Sequence, residues 1–328
     1  MTNSSDDHSI WKDPFHFIGR IVLEPTLTYA GGVLNVLVFC VWMFGPKSKS
    51  LCCATYFTAN AVADFLMLTI RPIYRERWII NIPYMRTDIA CKLFWSLCNS
   101  VFQISTWLSA TITVERTLTI VLPFVFKPQD MKRRSRYIVA IIYVIQPVTQ
   151  ILTLLYARGN SEAQVCYVDS QDKMSIINSI HVCLTIAIPF FVIITFNLAT
   201  ITALCRNRFR QNTVSGNRDH VHVFTKITIM TGVSFVVSYS IELIIGMYHI
   251  FDIEIDSFFW DLYSLNEGTM YFNSCINPII CLVVCKTMHD DMKSFLMAVI
   301  RSIWGVCAHR QSTQESQIAS ATHIAQTV

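Results

Sequence analysis

Seven stretches of the chain are apolar over about 20 residues or more, the length a helix needs to cross the hydrocarbon core of a bilayer. They run roughly over 21–43, 52–70, 91–122, 137–156, 176–205, 223–251 and 259–285. Each is rich in Leu, Ile, Val and Phe, and none is interrupted by a cluster of turn residues. Unbroken apolar runs predict helices over the alternating strands of a membrane barrel. No internal repeat of the kind that builds inverted-repeat transporters is visible. The expected fold is an all-α membrane protein, a seven-transmembrane helix bundle over residues 21–285. An outer segment, 1–20, precedes it, and a short amphipathic membrane-surface helix and tail, 286–328, follow it.

Composition agrees. The 328 residues are 53% hydrophobic and only 15% charged, whereas soluble domains carry about 25% charge. That argues against a cytosolic enzyme, a soluble nucleic-acid binder and a disordered chain. The net charge of +4 matters less than where it lies. Most of the 26 Lys and Arg fall in the loops after spans one, three and five and in the tail, and the opposite loops are net acidic. The positive-inside rule then predicts an outer N-terminus and a cytoplasmic C-terminus. Residues 1–19 lack a basic stretch followed by an apolar core, so no cleavable signal peptide is expected. Asn3-Ser4-Ser5, on the expected outer side, makes Asn3 a glycosylation candidate. Most of the 12 cysteines lie within apolar runs and read as small hydrophobes. Cys91 and Cys166 sit in polar segments at run boundaries on the outer side, which leaves room for one disulfide.

Several polar residues sit inside the apolar runs. The first contains Asn35 within Gly31-Gly32-Val33-Leu34-Asn35, and the second contains Asp64 within Asn60-Ala61-Val62-Ala63-Asp64. A carboxylate at mid-bilayer depth is expensive and marks function unless it is merely hydrogen-bonded. The third runs from Cys91 to Glu115-Arg116-Thr117, with Pro123 following. The 25 residues from Cys91 to Arg116 span about 37 Å as a helix, enough to cross a bilayer. Arg116 can pair with Glu115 there or simply reach to the interface. The seventh carries Asn273-Ser274-Cys275-Ile276-Asn277-Pro278-Ile279-Ile280-Cys281, in which Pro278 kinks the helix and frees a carbonyl.

In order and spacing these motifs, over roughly residues 20–297, resemble the rhodopsin-like (class A) G-protein-coupled receptors. The resemblance implies a plasma-membrane receptor that passes ligand binding to a heterotrimeric G protein, with arrestin as a further cytoplasmic partner. It makes Asn35 the signature polar residue of the first helix. It makes Asp64, Ser105, Asn273, Ser274 and Asn277 an oxygen-rich set for one sodium ion, the only cofactor expected; hard cations take oxygen ligands. It assigns the coupling switch to Glu115, Arg116, Pro123, Asn277 and Pro278, with Arg116 held by Glu115 at rest. It pairs Cys91 with Cys166 in a disulfide that pins the second outer loop over the pocket mouth.

The chain departs from the family pattern at several places. Thr117 and Cys281 replace tyrosines, as does Asn197 in the fifth span. Tyr143 stands for the tryptophan of the fourth. Tyr239 and Ile241 stand for the tryptophan and kink proline of the sixth. These departures read as a divergent, invertebrate-type member with altered switch mechanics.

The outer half of the bundle bears on the ligand. Cys98 occupies the place where amine receptors of the family carry Asp, which sets monoamines aside. Glu24, Glu242 and Glu267 lie at pocket depth, and Asp252, Glu254, Asp256 and Asp261 add an acidic outer loop. Either these acids pair internally, with Arg71 or His181, or they receive a cationic ligand. The second is the expectation: a basic neuropeptide, with Phe102, Gln103, His181, Tyr239 and Tyr271 lining the rest. The alternatives are a chemosensory receptor for a small environmental molecule, a receptor-shaped protein that does not signal, and a seven-helix transporter. Neither a nucleic-acid partner nor an enzyme is expected: HExxH, a phosphate-binding loop and GxSxG are all missing from the sequence. On the cytoplasmic side, Met288, Met292 and Phe295 share one face of a helix suited to membrane lipid. Cys307 is a weak palmitoylation candidate.

Overall fold

A computed structural model describes residues 22–51, 53–75, 87–122, 128–160, 165–210, 218–251, 253, 257–302 and 304. Asn3, Pro123 and Cys307 lie outside them, as do Asp252, Glu254 and Asp256, and the side chains of Asp261 and Glu267 are not described. The first three spans are α1 (Glu24–Phe44), α2 (Ala54–Arg75) and α3 (Asp88–Val121). The fourth is α4 (Pro128–Thr149) continued by α5 (Ile151–Tyr156). A hairpin follows, β1 (Ala157–Asn160) antiparallel to β2 (Val165–Val168), with Gly159 opposite Cys166. The fifth span is α6 (Gln171–Val182), a π-helical turn (Cys183–Ala187) and α7 (Ile188–Arg210). The sixth is α8 (Arg218–Ile250) and the seventh α9 (Ser257–Val284). The chain then bends by 98° into α10, Lys286–Ser302.

Together these form a seven-helix bundle. On length and composition alone, Glu24–Phe44, Met131–Tyr156, Gln171–Arg206 and Thr225–Tyr248 are long and apolar enough to cross a membrane, and the bent pair after Gly268 adds a fifth. The two remaining spans, α2 and α3, carry the polar interior: Asn60 and Asp64 on one, Ser96, Ser100, Gln103 and Ser105 on the other, all buried. They tolerate these groups because they are surrounded by protein rather than lipid.

The helices differ from the apolar runs at their ends. α4 begins nine residues before the run that predicts it, and α8 begins five before. Arg206, Arg208, Arg210 and Arg218 therefore stand on helices, not in a loop spanning 206–222. Hydropathy marks where lipid ends, whereas a helix continues as long as its backbone hydrogen bonds do. The fourth span is also broken: Pro147 removes a backbone donor, and Gln150 leaves helical geometry at φ −84°, ψ 9°.

The interior divides into two apolar clusters. One, toward the Arg116 end, gathers Val38, Val41, Trp42, Tyr56, Leu108, Ile112, Cys281 and Met288. The other, toward the disulfide end, gathers Leu68, Phe102, Ile186, Phe235, Tyr239 and Tyr271. α10 lays Met288 and Met292 into the first cluster. Its Asp291 Oδ2 accepts from the Lys47 and Ser48 amides at 3.1 and 2.7 Å and from Ser48 Oγ at 2.8 Å. This carboxylate fastens α10 to the turn after α1.

Candidate functional site

A polar core lies at the centre of the bundle. The fully buried Asp64 carboxylate accepts four hydrogen bonds. Ser105 Oγ and Ser274 Oγ reach Oδ1 at 2.5 and 3.2 Å; Asn60 Nδ2 and Asn277 Nδ2 reach Oδ2 at 2.7 and 3.3 Å. Donors from α2, α3 and α9 thus meet on one carboxylate, as a desolvated charge requires. Asn35 crosses to the same place, donating to the Ser274 carbonyl at 3.0 Å. Asn273 is buried, and its Oδ1 has no donor among the described residues. Four of the five sodium-set residues, Asp64, Ser105, Ser274 and Asn277, therefore meet directly, and Asn273 lies against Tyr239.

On the disulfide side of this core is an aromatic floor. Tyr239 is fully buried, 4.4 Å from Phe235 and 5.7 Å from Phe102 between ring centroids. His181 lies 6.2 Å from Phe102 and shares a 3.1 Å hydrogen bond with Thr185. The Arg71 guanidinium sits 5.1 Å over the Phe102 ring, a cation–π arrangement. Glu24 and Glu242 have neutral partners on α9: Tyr271 Oη donates to Glu24 at 3.4 Å, and Asn266 Nδ2 donates to Glu242. Cys98 is buried on α3. Gln103 faces α4, where its Oε1 accepts from Thr149 at 2.7 Å and Gln150 at 2.9 Å. The polar ligand candidates thus fall into two groups: Glu24, Glu242, His181, Tyr239 and Tyr271 around the aromatic floor, and Gln103 beside the fourth span.

The opposite end of α3 carries Glu115 and Arg116, both buried. The Tyr56 hydroxyl lies against Glu115. Thr117, where the family pattern has Tyr, ties α3 to α7. Its Oγ1 is 2.7 Å from Thr200 Oγ1 and donates toward the Phe196 carbonyl at 3.0 Å. Asn197, another replaced tyrosine, is buried against α8 at Gly232. Tyr143 keeps a linking role, donating to the Ala59 carbonyl of α2 at 2.9 Å. Cys281 packs as an apolar residue with Cys285 and Met288.

At the rim of the disulfide end, Cys91 and Cys166 are bonded, with Cα atoms 5.6 Å apart. This fixes the hairpin over the start of α3. Asp88 braces it, accepting from the Gly159 amide at 2.9 Å and from Arg158 Nη1 at 3.0 Å. The Gly159 amide and the Arg158 guanidinium hold the Asp88 carboxyl below the usual carboxylate range.

Sequence reasoning missed Asn60, Asn266, Thr200, Asp291 and the hairpin. Asn60 was legible one turn before Asp64, where two polar residues on one helical face meet. The other partners come from distant parts of the chain and left no local signal.

Residues 34–280 match the 7 transmembrane receptor (rhodopsin family). Among similar proteins, chemerin-like receptor 2 of Mus musculus is 22% identical over 86% of this chain and 80% of its own length. C5a anaphylatoxin chemotactic receptor 1 of Rattus norvegicus is 24% identical over 87% and 81%. C-C chemokine receptor type 9 of Mus musculus is 23% identical over 81% and 74%. With a continuous match across most of its length and a bundle organised around Asp64, the chain belongs to the rhodopsin family of seven-transmembrane receptors.

Proposed function

We propose that this receptor sits in the plasma membrane with its disulfide end outside, binds a peptide ligand there, and activates a heterotrimeric G protein at its Arg116 end. Relatives named for chemerin, the C5a anaphylatoxin and C-C chemokines favour a polypeptide ligand. The observation that carries the reading is the pair of acids, Glu24 and Glu242, set around Tyr239 on the outer side of Asp64. Each accepts a hydrogen bond from α9, and a carboxylate can accept several, so a ligand guanidinium or ammonium can bind to them as well. Arg71 brings the opposite charge to the same floor. The inserted end of the peptide is therefore basic. A basic neuropeptide fits this description.

Asp64, Ser105, Asn273, Ser274 and Asn277 fit a sodium ion, since a buried carboxylate and the unused Asn273 Oδ1 supply hard oxygen ligands. Its bound charge would stabilise the resting packing of α2, α3 and α9. Arrestin engagement by the tail and lipid contact by α10 belong to the same proposal. The test is a G-protein dissociation assay in cells with confirmed surface expression, using amidated Arg- and Lys-containing peptides on the wild type, Glu242→Gln and Glu267→Gln. A response weakened in either variant supports the acidic pocket. A response equal in all three removes the cationic ligand, and silence across the panel removes the basic peptide.

A further inference from the structure

The fourth and fifth spans are both irregular where they pass the middle of α3. Gln103 meets the break in the fourth span, at Thr149 and Gln150. One turn further along α3, Trp107 Nε1 donates at 2.9 Å to the Leu184 carbonyl, within the π-helical turn of the fifth. Irregular backbone at membrane depth needs protein or a polar cavity beside it, and π turns cluster at functional sites. A cleft does lie between these two spans. Its polar wall is Gln103, Gln150, Thr153 and His181, and its apolar wall includes Ile177 and Ile180. Gln103 is fully buried, whereas Ile180 is 38% exposed on the flank of the bundle. The Gln103 amide has a settled orientation: its Oε1 takes two donors, and a flipped amide would set N–H against N–H. Its Nε2 then has no acceptor among the described residues. A buried donor left in that state is costly.

The place and size of the cleft restrict what meets this donor. Gln103 is 12 residues from Cys91 and 13 from Arg116, about 18 and 20 Å along the helix. That is near mid-bilayer, out of reach of phospholipid headgroups at the faces of a core about 30 Å thick. The cleft encloses about 230 Å³, its open side included. Pockets that hold a whole small ligand measure about 300–1,000 Å³, so this one takes one end of a molecule and leaves the rest among lipid tails. Neither Lys nor Arg lines it, and a carboxylate or phosphate would be desolvated there without a counter-charge. We propose that the cleft is a second ligand site, apart from the peptide floor, for an uncharged lipophilic molecule that enters from the bilayer and offers a carbonyl oxygen to Gln103 Nε2. His181 lines the cleft and lies 6.2 Å from Phe102, so the occupant abuts that floor.

The test is photolabelling of the purified full chain in phosphatidylcholine nanodiscs, with no G protein present and labelled sites read by mass spectrometry. The probe is methyl nonyl ketone carrying a diazirine and a terminal alkyne; the control is the same chain with methylene in place of the carbonyl. The ketone should label the segments holding Leu152 and Ile180 about three- to tenfold more than the control, the ratio that one hydrogen bond supplies. Unlabelled methyl nonyl ketone should compete. Gln103→Met removes the donor and should bring the two probes level. Ile180→Trp stands at the rim, clear of the Gln103 hydrogen bonds, and should close the cleft and abolish competed labelling; it decides the matter if Gln103→Met does not fold. Equal labelling by both probes in the wild type would mean an apolar surface only and overturns the proposal. So does a ketone preference that survives the substitutions, or stronger labelling by the matching carboxylic acid. Absence of competed labelling leaves Gln103 Nε2 to a water molecule and overturns it as well.

Discussion

Replacing Thr117 by Val removes one hydroxyl and little volume from the junction of α3 and α7. The Thr117 hydroxyl has oxygen neighbours at 2.9 Å (Thr113 O), 3.0 Å (Phe196 O) and 2.7 Å (Thr200 Oγ1). With one proton it donates once and can accept from Thr200. A net intramolecular hydrogen bond contributes about 0.5–1.5 kcal/mol. Interhelical side-chain bonds in membrane bundles average about 0.6 kcal/mol and reach about 1.7. Thr200 is fully buried, but a threonine hydroxyl in a helix can turn to donate to the carbonyl four residues before it. The larger penalty for an orphaned buried hydroxyl is therefore avoided. The expected cost of Thr117→Val is about 0.6–1.5 kcal/mol. That corresponds to roughly a three- to tenfold shift in the equilibrium between resting and open packing. The assay is a double-mutant cycle with Thr200→Val, read by thermal unfolding of the purified receptor and by basal G-protein activation. Each single variant should cost a similar amount, and the double variant little more than either. Strict additivity, with coupling below about 0.3 kcal/mol, would refute a shared hydrogen bond as the tie between these helices.

Arg116→Ala should leave surface expression intact and abolish G-protein activation; a fully active variant sinks the role given to this residue. Asp291→Ala strands two backbone amides and the Ser48 hydroxyl. It should lower thermal stability by about 2–4 kcal/mol, with Asp291→Asn recovering part of the loss; equal stability in all three proteins would show that α10 is held by its methionines alone. The folded Asp88 carboxyl sits below its unfolded pKa, so its stabilisation of the hairpin is present above about pH 4 and fades as pH falls further. The side chains are exposed, so the effect should be small and shrink with salt. Asp88→Asn should flatten the fall of the unfolding temperature between pH 5 and 3 at low ionic strength, and an unchanged slope would assign that fall to other groups.

Much of the architecture was written in the chain as local pattern. Apolar runs long enough to span a bilayer left a helical bundle as the form that satisfies every backbone group. Asp64, Asn35 and the Cys91-to-Arg116 spacing announced themselves because polar groups within apolar runs are costly and therefore conspicuous. The partners of those groups were a different matter. That Asp64 meets Ser105, Asn60, Ser274 and Asn277 on one carboxylate depends on three helices brought together by packing. The acids of the disulfide half were legible as charges, but not that Tyr271 and Asn266 would meet two of them.

Helix ends were misjudged because hydropathy reports lipid rather than backbone hydrogen bonding. The sequence by itself determined the membrane fold, the number of spans and the buried acid at its centre, since each follows from transferring residues out of water. Only the tertiary structure decided how the replaced switch residues are used, Thr117 against Thr200 and Asn197 over Gly232, and that Asp291 anchors α10 at Ser48. Those contacts join residues tens to hundreds of positions apart, and their energies depend on ångström-scale approach, which no run of neighbouring residues encodes.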